Sequence, residues 1–304
     1  MSLYHKYRPF TLEEVKGNRK IVSSLKGLLE NPDTSSHVFM FHGTTGCGKT
    51  TLGRIVGKTL GVSDKDFTEI DSADFRGIDT IREIRKNAQY LPVNSPYRVF
   101  LLDEMHQLSK DAQNALLKIL EDTPPHVYFI LCTTDPQKVL PTVKNRCTQL
   151  QVNPLEEIDM KRLLKNVLRK EKEALDKEVL QVIIKEAGGI PRNALQILEQ
   201  VLSTEEDKRL ETAKQVQKET SESIELCRAL LANSNWKQVS KILSGLRQQD
   251  AEGIRRHVLG YATSVLLKSD NTKAGLVLEE FLEPTYNSGF SQIVFASYSV
   301  VKNS

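Results

Sequence analysis

The chain has 304 residues, of which 39% are hydrophobic and 27% are charged; this excludes wholesale disorder or a fibrous repeat and favours about two domains. The net charge is only +3, so binding to nucleic acid would need a local cluster of basic residues. The four cysteines are scattered and form no C-x-x-C pair, which favours a cytoplasmic protein without a zinc site or a disulfide framework. The sequence nowhere has about 18 consecutive apolar residues, so no membrane span is expected.

Short apolar runs alternate with helical patterns over the first 150 residues. The runs that predict strands are 38–42, 67–71, 98–103, 127–132 and 148–152. Helical patterns lie between them, for instance over 49–60 and 110–121. This alternation predicts an α/β fold, with a parallel sheet covered by helices on both faces.

Strand signals stop after Pro154, and apolar residues then repeat at helical spacing to about residue 203. The step from Gly188-Gly189 to Pro191 marks the end of one helix and the start of another. The polar stretch 203–223 is either a linker or an exposed helix. Further helical patterns follow at 224–231, 236–246, 254–267, 274–282 and 293–301. We therefore predict three domains, a sheet domain at 1–153, a small helical domain at 154–210 and an all-helical domain at 211–304.

The segment from Gly43 to Thr50 matches the G-x-x-x-x-G-K-[ST] phosphate loop at every fixed position, between a predicted strand and a predicted helix. Its glycines let backbone amides surround phosphates, Lys49 is expected to contact the β and γ phosphates, and the Thr50 hydroxyl is expected to bind Mg²⁺. The nucleotide-binding residues predicted here are Thr45, Gly46, Cys47, Gly48, Lys49, Thr50 and Thr51. A chance glycine-rich turn is the alternative, which the flanking strand and helix disfavour.

Two acids, Asp103 and Glu104, directly follow an apolar run that predicts a buried strand. Ligands bind at the carboxyl ends of parallel strands, so Asp103 is expected to hold Mg²⁺ and Glu104 to polarise the attacking water. Strands also end in acids for solubility alone, but the phosphate loop earlier in the chain favours the catalytic interpretation. Another predicted strand ends in Thr133 and Thr134, and one of these two is expected to sense the γ phosphate or to orient water. Spacing alone does not show which of them has this role. Threonines at strand ends also commonly form hydrogen bonds only with the local backbone.

These residues resemble an AAA+ ATPase of the replicative clamp-loader family, similar to bacterial tau/gamma subunits and to the small subunits of replication factor C. The resemblance covers about residues 3 to 200 and includes several segments besides the phosphate loop. They are YHKYRP at 4–9, LDEMHQLS at 102–109, NALLKILE at 114–121, TTDPQK at 133–138, NRC at 145–147 and GGIPRNAL at 188–195. The resemblance implies ATP and Mg²⁺ as ligands. It also implies an AAA+ domain followed by a helical lid, and a helical oligomerisation collar at the end of the chain.

The resemblance also implies roles for single residues. Tyr7, Arg8, Pro9 and Val15 are expected to cover the adenine. Thr134 resembles the first sensor. Arg192, which follows Pro191 at the start of a lid helix, resembles the second sensor. When the resemblance is set aside, a solvated arginine at the start of a helix explains Arg192 equally well. Arg146 resembles the arginine finger, which contacts the ATP bound to a neighbouring subunit and stabilises the charge of the transition state.

The chain departs from the family pattern in three places. Asn145 stands where the family usually has Ser before the finger arginine, which changes a local hydrogen bond and leaves the guanidinium in place. Only residues 61–66 separate the phosphate-loop helix from the next strand, so the four-cysteine zinc module of bacterial relatives is not expected. The sequence ends at Ser304 without a long extension, so tethering of a polymerase and a helicase is not expected; a compact, phage-type loader would share these features.

A row of basic residues is the candidate DNA-binding surface: Arg76, Arg82, Arg85 and Lys86. Such a row can follow a phosphate backbone, although Asp79 and Glu83 interleave with it and an ordinary solvated helix face explains it as well. The segment from Tyr90 to Val93 is a candidate clamp contact, with core packing or a loop anchor as alternatives.

The leading hypothesis is an ATPase motor subunit that opens a sliding clamp and places it on primer-template DNA, with hydrolysis triggering release. Its expected partners are further copies of the chain, a non-identical subunit in a ring that the family makes a pentamer, the clamp and DNA; no membrane or zinc is expected. The alternatives are another AAA+ DNA motor, such as a helicase loader or branch-migration motor, and a nucleotide-binding scaffold without turnover.

Overall fold

A parallel five-stranded sheet forms the centre of the first part of the chain in the computed structural model. The model describes residues 2–30, 36–72, 74–75, 77–232, 234–247, 249–267, 271–285 and 288–303, without the side chains of 214–222. The strands are β1 Val38–His42, β2 Phe67–Asp71, β3 Arg98–Asp103, β4 Val127–Thr133 and β5 Thr148–Gln151. Their order in the sheet is β2, β3, β4, β1, β5, and every pair is parallel.

Two apolar cores lie on opposite faces of this sheet. Along β1, Phe39 and Phe41 enter one core, while Met40 enters the other. All seven residues of the central strand β4 are buried. A strand covered on both faces has no solvent side, so its sequence is continuously apolar; this is why the sheet was predictable. The prediction is confirmed, with β4 one residue longer and β5 one residue shorter than expected.

Nine helices accompany the sheet in the described part of residues 2–203. They are α1 Leu3–Lys6, α2 Arg19–Glu30, α3 Lys49–Thr59, α4 Ile78–Asn87, α5 Lys110–Glu121, α6 Pro141–Lys144, α7 Glu157–Glu171, α8 Lys177–Glu186 and α9 Pro191–Leu202. The last three pack on one another, and α1 packs on α9. The amide of Leu3 donates to the Glu199 carboxylate at 3.3 Å, so the beginning of the described chain is fixed to α9.

The second part of the chain is helical, as predicted. Its helices are α10 Arg209–Leu231, α11 Trp236–Leu246, α12 Ala251–Leu266, α13 Thr272–Glu280 and α14 Phe290–Lys302. Their core includes Leu226, Leu243, Val258 and Ile293. Helix α10 begins at Arg209 and continues through the polar stretch for which the sequence left a linker or an exposed helix open.

The chain divides into two compact units, Met1–Ser203 and Thr204–Ser304. The finer division into domains at 1–153, 154–210 and 211–304 stays a prediction. Among the residues that the structure describes, no helix has both the length and the apolar character needed to cross a membrane.

Candidate active site

The loop from Gly43 to Gly48 joins β1 to α3 and needs glycine at several points. Gly46 has a φ of +75°, and a Cβ there would lie 2.7 Å from Cγ2 of Ile190. A Cβ on Gly43 would lie 2.1 Å from the carbonyl oxygen of Val152. Side chains are therefore excluded at Gly43 and Gly46, which leaves the backbone at these positions open to a ligand.

Lys49 is the first residue of α3, and its side chain folds back over this loop. It is only 5% exposed. Its ammonium donates to the carbonyl oxygens of Gly43 at 3.0 Å and Thr44 at 3.1 Å. An ammonium has three donors, so one remains for a phosphate oxygen while the other two hold the loop.

Thr50 and Asp103 bring a hydroxyl and a carboxylate together between α3 and the end of β3. The Thr50 hydroxyl donates to Oδ2 of Asp103 at 2.7 Å, and the amide of Glu104 donates to Oδ1 at 3.0 Å. Burial raises the pKa of Asp103 above its ordinary value, against the opposing effect of the Thr50 and Glu104 hydrogen bonds. These are hard oxygen donors of the kind that Mg²⁺ prefers, so the residues present fit this cation.

Glu104 turns the chain sharply at the end of β3. Its φ of +46° is in the left-handed region, which is uncommon for a residue other than glycine. Its Oε2 accepts a hydrogen bond from the Thr134 hydroxyl at 2.9 Å and from the Thr134 amide at 3.3 Å. The carboxylate is thus fixed by the end of the neighbouring strand β4.

The structure separates the two threonines that spacing left equivalent. Thr133 is fully buried, and its hydroxyl lies 3.2 Å from Nδ1 of His106 and accepts from the amide of Asp135. Thr134 alone of the two contacts Glu104. His106 lies 3.3 Å from Oε2 of Glu104, and burial lowers the pKa of its imidazole. The sequence did not indicate His106, because only the short turn over Met105–Gln107 returns its ring to Glu104.

A cleft of about 580 Å³ joins these groups to the beginning of the chain and to α7 and α9. The predicted site residues that line it are Tyr7, Arg8, Pro9, Val15, Thr45, Gly46, Cys47, Gly48, Lys49, Thr50, Thr51, Asp103, Glu104, Pro191 and Arg192. Leu155, Leu163 and Val167 line it too and make part of its wall apolar. The Tyr7 hydroxyl donates to Glu171 at 2.5 Å, and Lys6 forms an ion pair with the same carboxylate at 2.7 Å.

Tyr4 also lines the cleft, and sequence analysis missed it. Its hydroxyl accepts hydrogen bonds from Arg8 at 2.5 Å and from Arg192 at 2.7 Å. Burial raises the pKa of Tyr4, but the hydrogen bonds and charges of Arg192 and Arg8 outweigh burial and leave the pKa below its ordinary value. Tyr4 begins the segment YHKYRP, yet no local pattern could show that it meets Arg192, 188 positions away.

Comparison with known proteins identifies relatives of this chain. The family model for the delta subunit of DNA polymerase III matches residues 62–156. The gamma/tau subunit of DNA polymerase III from Mycobacterium tuberculosis is 36% identical over 226 residues, which cover 67% of this chain and 39% of the relative. The gamma subunit from Buchnera aphidicola of Schizaphis graminum is 35% identical, over 66% of this chain and 61% of the relative. These matches identify the chain as a homologue of the gamma and tau subunits of DNA polymerase III and support a clamp-loader AAA+ subunit.

This clamp-loader homologue spans between about a third and three fifths of the length of the relatives it matches. The tau subunit from Escherichia coli, for instance, is 34% identical over 66% of this chain but only 34% of its own length. Among solved structures, the RuvB Holliday junction branch migration motor of Thermotoga maritima superimposes with a TM-score of 0.63 over 78% of this chain and 85% of that chain. At 16% identity, RuvB shares the AAA+ fold.

Arg146 lies outside the cleft of this clamp-loader homologue. It follows α6, donates to the carbonyl of Thr142 at 2.8 Å and forms an ion pair with Glu121 at the end of α5. Its side chain is about one third exposed, at 32%. Arg146 is therefore not brought to the chain's own phosphate loop, and its role as a finger stays a prediction.

The predicted basic row lies on α4. Arg82, Arg85 and Lys86 are exposed, whereas Ile81 and Ile84 on the other face enter the core. Arg82 pairs with Asp79 at 2.8 Å, so one of the three charges is partly neutralised by its own helix. The fourth member, Arg76, lies outside the described residues.

The segment after α4 presents apolar side chains to solvent. Tyr90, Leu91 and Val93 are 58%, 73% and 69% exposed, so core packing does not explain them. Their backbone is held by the fully buried Asp66, whose two oxygens accept from the amides of Val93 at 2.7 Å and Asn94 at 2.8 Å. The Arg98 side chain adds a hydrogen bond to the carbonyl of Leu91 at 3.2 Å. We call Tyr90, Leu91 and Val93 with their backbone the apolar loop.

Proposed function

We propose that this chain is the ATP-hydrolysing subunit of a sliding-clamp loader. The observation that supports it most is the cleft in which Lys49, Thr50, Asp103 and Glu104 meet the phosphate loop. Its glycines admit a polyphosphate, its lysine supplies positive charge, and its carboxylates supply a metal ligand and a base. In-line transfer of a phosphoryl group to water needs these elements together.

Each residue has a separate task in this mechanism. The Lys49 ammonium would neutralise charge on the β and γ phosphates. Thr50 and Asp103 would hold Mg²⁺, which would offset the negative charge that develops during the transfer. Glu104 orients the attacking water and accepts its proton. Thr134 keeps the Glu104 carboxylate at its place through the 2.9 Å hydrogen bond.

The first residues of the chain and the apolar wall of the cleft would bind the adenine base of the nucleotide. Tyr7, Arg8, Pro9 and Val15 line the same cleft as the phosphate loop. A nucleotide bound in this cleft would extend from one to the other. Arg192 at the start of α9 would reach the γ phosphate and report its presence to the lid helices.

Arg146 would act on a neighbouring subunit's nucleotide. It is partly exposed beside Glu121 and lies away from its own cleft, which suits a residue supplied in trans. The active form is then a ring of copies of this chain with a non-identical subunit, a pentamer as in the family. In that ring, the apolar loop would contact the clamp, and Arg82, Arg85 and Lys86 would follow the phosphates of primer-template DNA.

The test is steady-state ATP hydrolysis by the chain with its co-purified partner, with and without primed DNA and the clamp of the same replication system. We expect DNA and clamp together to raise the rate well above either alone, and Arg146→Ala to abolish the rise. Arg247→Ala, which removes an exposed arginine of the second unit, is the matched control and should retain it.

A rate that ignores the clamp in the presence of the partner would contradict the proposal and favour a different AAA+ DNA motor. Nucleotide binding without any turnover would favour a scaffold instead.

A further inference from the structure

Two arginines from distant parts of the chain meet at one phenol. Arg8 and Arg192 both donate to the Tyr4 hydroxyl, and their guanidinium carbons lie 5.2 Å and 4.6 Å from the centre of the Tyr4 ring. The hydroxyl oxygen thus accepts from two cations, and the ring face stabilises both.

The two positive charges lack a compensating anion within the part of the chain that the structure describes. Neither arginine forms an ion pair with a described carboxylate there, and the Nε atom of each is buried without a hydrogen-bond partner. Like charges repel one another, and a buried N–H without an acceptor is costly. This arrangement therefore favours an incoming anion.

The phosphate loop lies directly beside Arg192 and in the same cleft as Arg8. Cβ and Cδ of Arg192 lie 3.3 Å and 3.9 Å from the position that a Cβ on Gly46 would take. Arg8, Arg192 and Tyr4 all line the cleft that contains Lys49 and Thr50. The anion that satisfies the arginines is consequently the phosphate chain of a nucleotide in this cleft.

We propose that Tyr4 is a positioning residue whose hydroxyl holds Arg8 and Arg192 at the cleft, so that a nucleoside triphosphate binds in preference to a diphosphate. The additional charge of the γ phosphate gains most from two nearby guanidinium groups. Without the hydroxyl, mutual repulsion lets the two side chains move apart. The inference rests on the proposed function in one respect, namely that the cleft binds ATP.

The test compares the affinities of the full chain for Mg²⁺ with ADP and for Mg²⁺ with an ATP analogue whose β,γ bridge cannot be hydrolysed. Tyr4→Phe retains the ring and removes only the hydroxyl. We expect its affinity for the ATP analogue to fall about tenfold, the effect of one hydrogen bond to a charged group, and its affinity for ADP to change much less. Tyr298→Phe, which removes a phenolic hydroxyl from α14, is the control and should change neither.

A second pair of variants separates positioning from a general structural role. If Tyr4 acts through Arg192, adding Tyr4→Phe to Arg192→Lys should change the ATP-to-ADP preference by no more than about twofold, because the residues belong to one network. Arg8→Lys, which leaves Tyr4 in place, should lower the same preference. Thermal unfolding without nucleotide checks that each variant is folded.

An unchanged preference in folded Tyr4→Phe, or an equal loss of affinity for both nucleotides, would overturn the inference while the proposed function stands. If the unaltered chain binds neither nucleotide, the proposed function and the inference fail together. Nucleotide binding that is insensitive to Lys49→Ala contradicts the proposed site itself.

Discussion

The hydroxyl of Thr134 donates to the carboxylate of Glu104 at 2.9 Å, so a residue at the end of β4 fixes the acid at the end of β3. We predict that Thr134→Val lowers the maximal rate of ATP hydrolysis about tenfold, because the Glu104 carboxylate loses its shortest hydrogen bond and a less firmly held carboxylate orients water poorly. Nucleotide affinity should stay near that of the unaltered chain, since Thr134 does not line the cleft. Pre-steady-state hydrolysis measures the effect, and Thr134→Ser should restore most of the rate; a Ser variant as slow as Val would contradict the role of the hydroxyl.

Lys49 provides the test of the phosphate site. We expect Lys49→Ala to abolish binding of a fluorescent ATP analogue, because it removes the buried ammonium and the two hydrogen bonds that hold the Gly43 and Thr44 carbonyls. Lys237→Ala removes an exposed lysine from α11 and should bind as the unaltered chain does. Retained affinity in Lys49→Ala would exclude this loop as the phosphate site.

Arg146 can be tested by complementation between subunits. An Arg146→Ala subunit retains its own phosphate loop, while a Lys49→Ala subunit retains its finger. Mixed in one assembly with the partner subunit, the two should recover part of the DNA- and clamp-stimulated hydrolysis that each lacks alone. Recovery requires an arginine acting across an interface; its absence, in mixtures shown to assemble, would argue against a finger in trans.

Asp66 gives a dependence of stability on pH. Burial raises the pKa of its carboxyl, but the amides of Val93 and Asn94 and the hydroxyls of Ser95 and Ser63 lower it to about 2, against an ordinary value of 3.8. A lowered pKa stabilises the folded state above the ordinary value, and this stabilisation is lost as the pH falls through the folded-state pKa.

We therefore expect the difference in unfolding free energy between the unaltered chain and Asp66→Asn to be present at pH 5 and to shrink between about pH 4 and pH 2. Urea unfolding across this range measures it. Asp64→Asn, an exposed neighbour, should show no comparable change. A difference that stays constant with pH would contradict an ionised Asp66.

The apolar loop is expected to contact the clamp. Leu91 is 73% exposed, so Leu91→Ser should leave the fold and the clamp-independent hydrolysis intact while removing most of the stimulation by the clamp. Leu267→Ser is the matched control, because Leu267 is an 83% exposed leucine of the second unit. Equal stimulation of both variants would place the clamp contact elsewhere.

Sequence patterns predicted the sheet and the phosphate loop because both are local. The buried strand β4 is almost continuously apolar, and the phosphate loop is defined by the glycines, lysine and threonine within the single short segment from Gly43 to Thr50. The start of α10 was not predicted, because a polar helix has no apolar periodicity to mark its first turn.

The site residues that the sequence did not predict depend on tertiary contacts or on a sharp turn of the backbone. Tyr4 meets Arg192 only once α1 packs on α9, and His106 approaches Glu104 only through the turn at the end of β3. Asp66 gave no signal either, since a single acid before a strand looks like a surface residue. Its burial follows from the apolar loop that closes over it.

The backbone of the apolar loop is held from beneath. Asp66 binds the backbone at Val93 and Asn94, and Arg98 binds it at Leu91, so the path of the chain is set by groups beneath the loop. The exposed side chains of Tyr90, Leu91 and Val93 carry little of that stability. These three side chains are therefore open to exchange. On the proposed function, replacing them would match the subunit to a clamp of different surface chemistry without changing the fold that carries them.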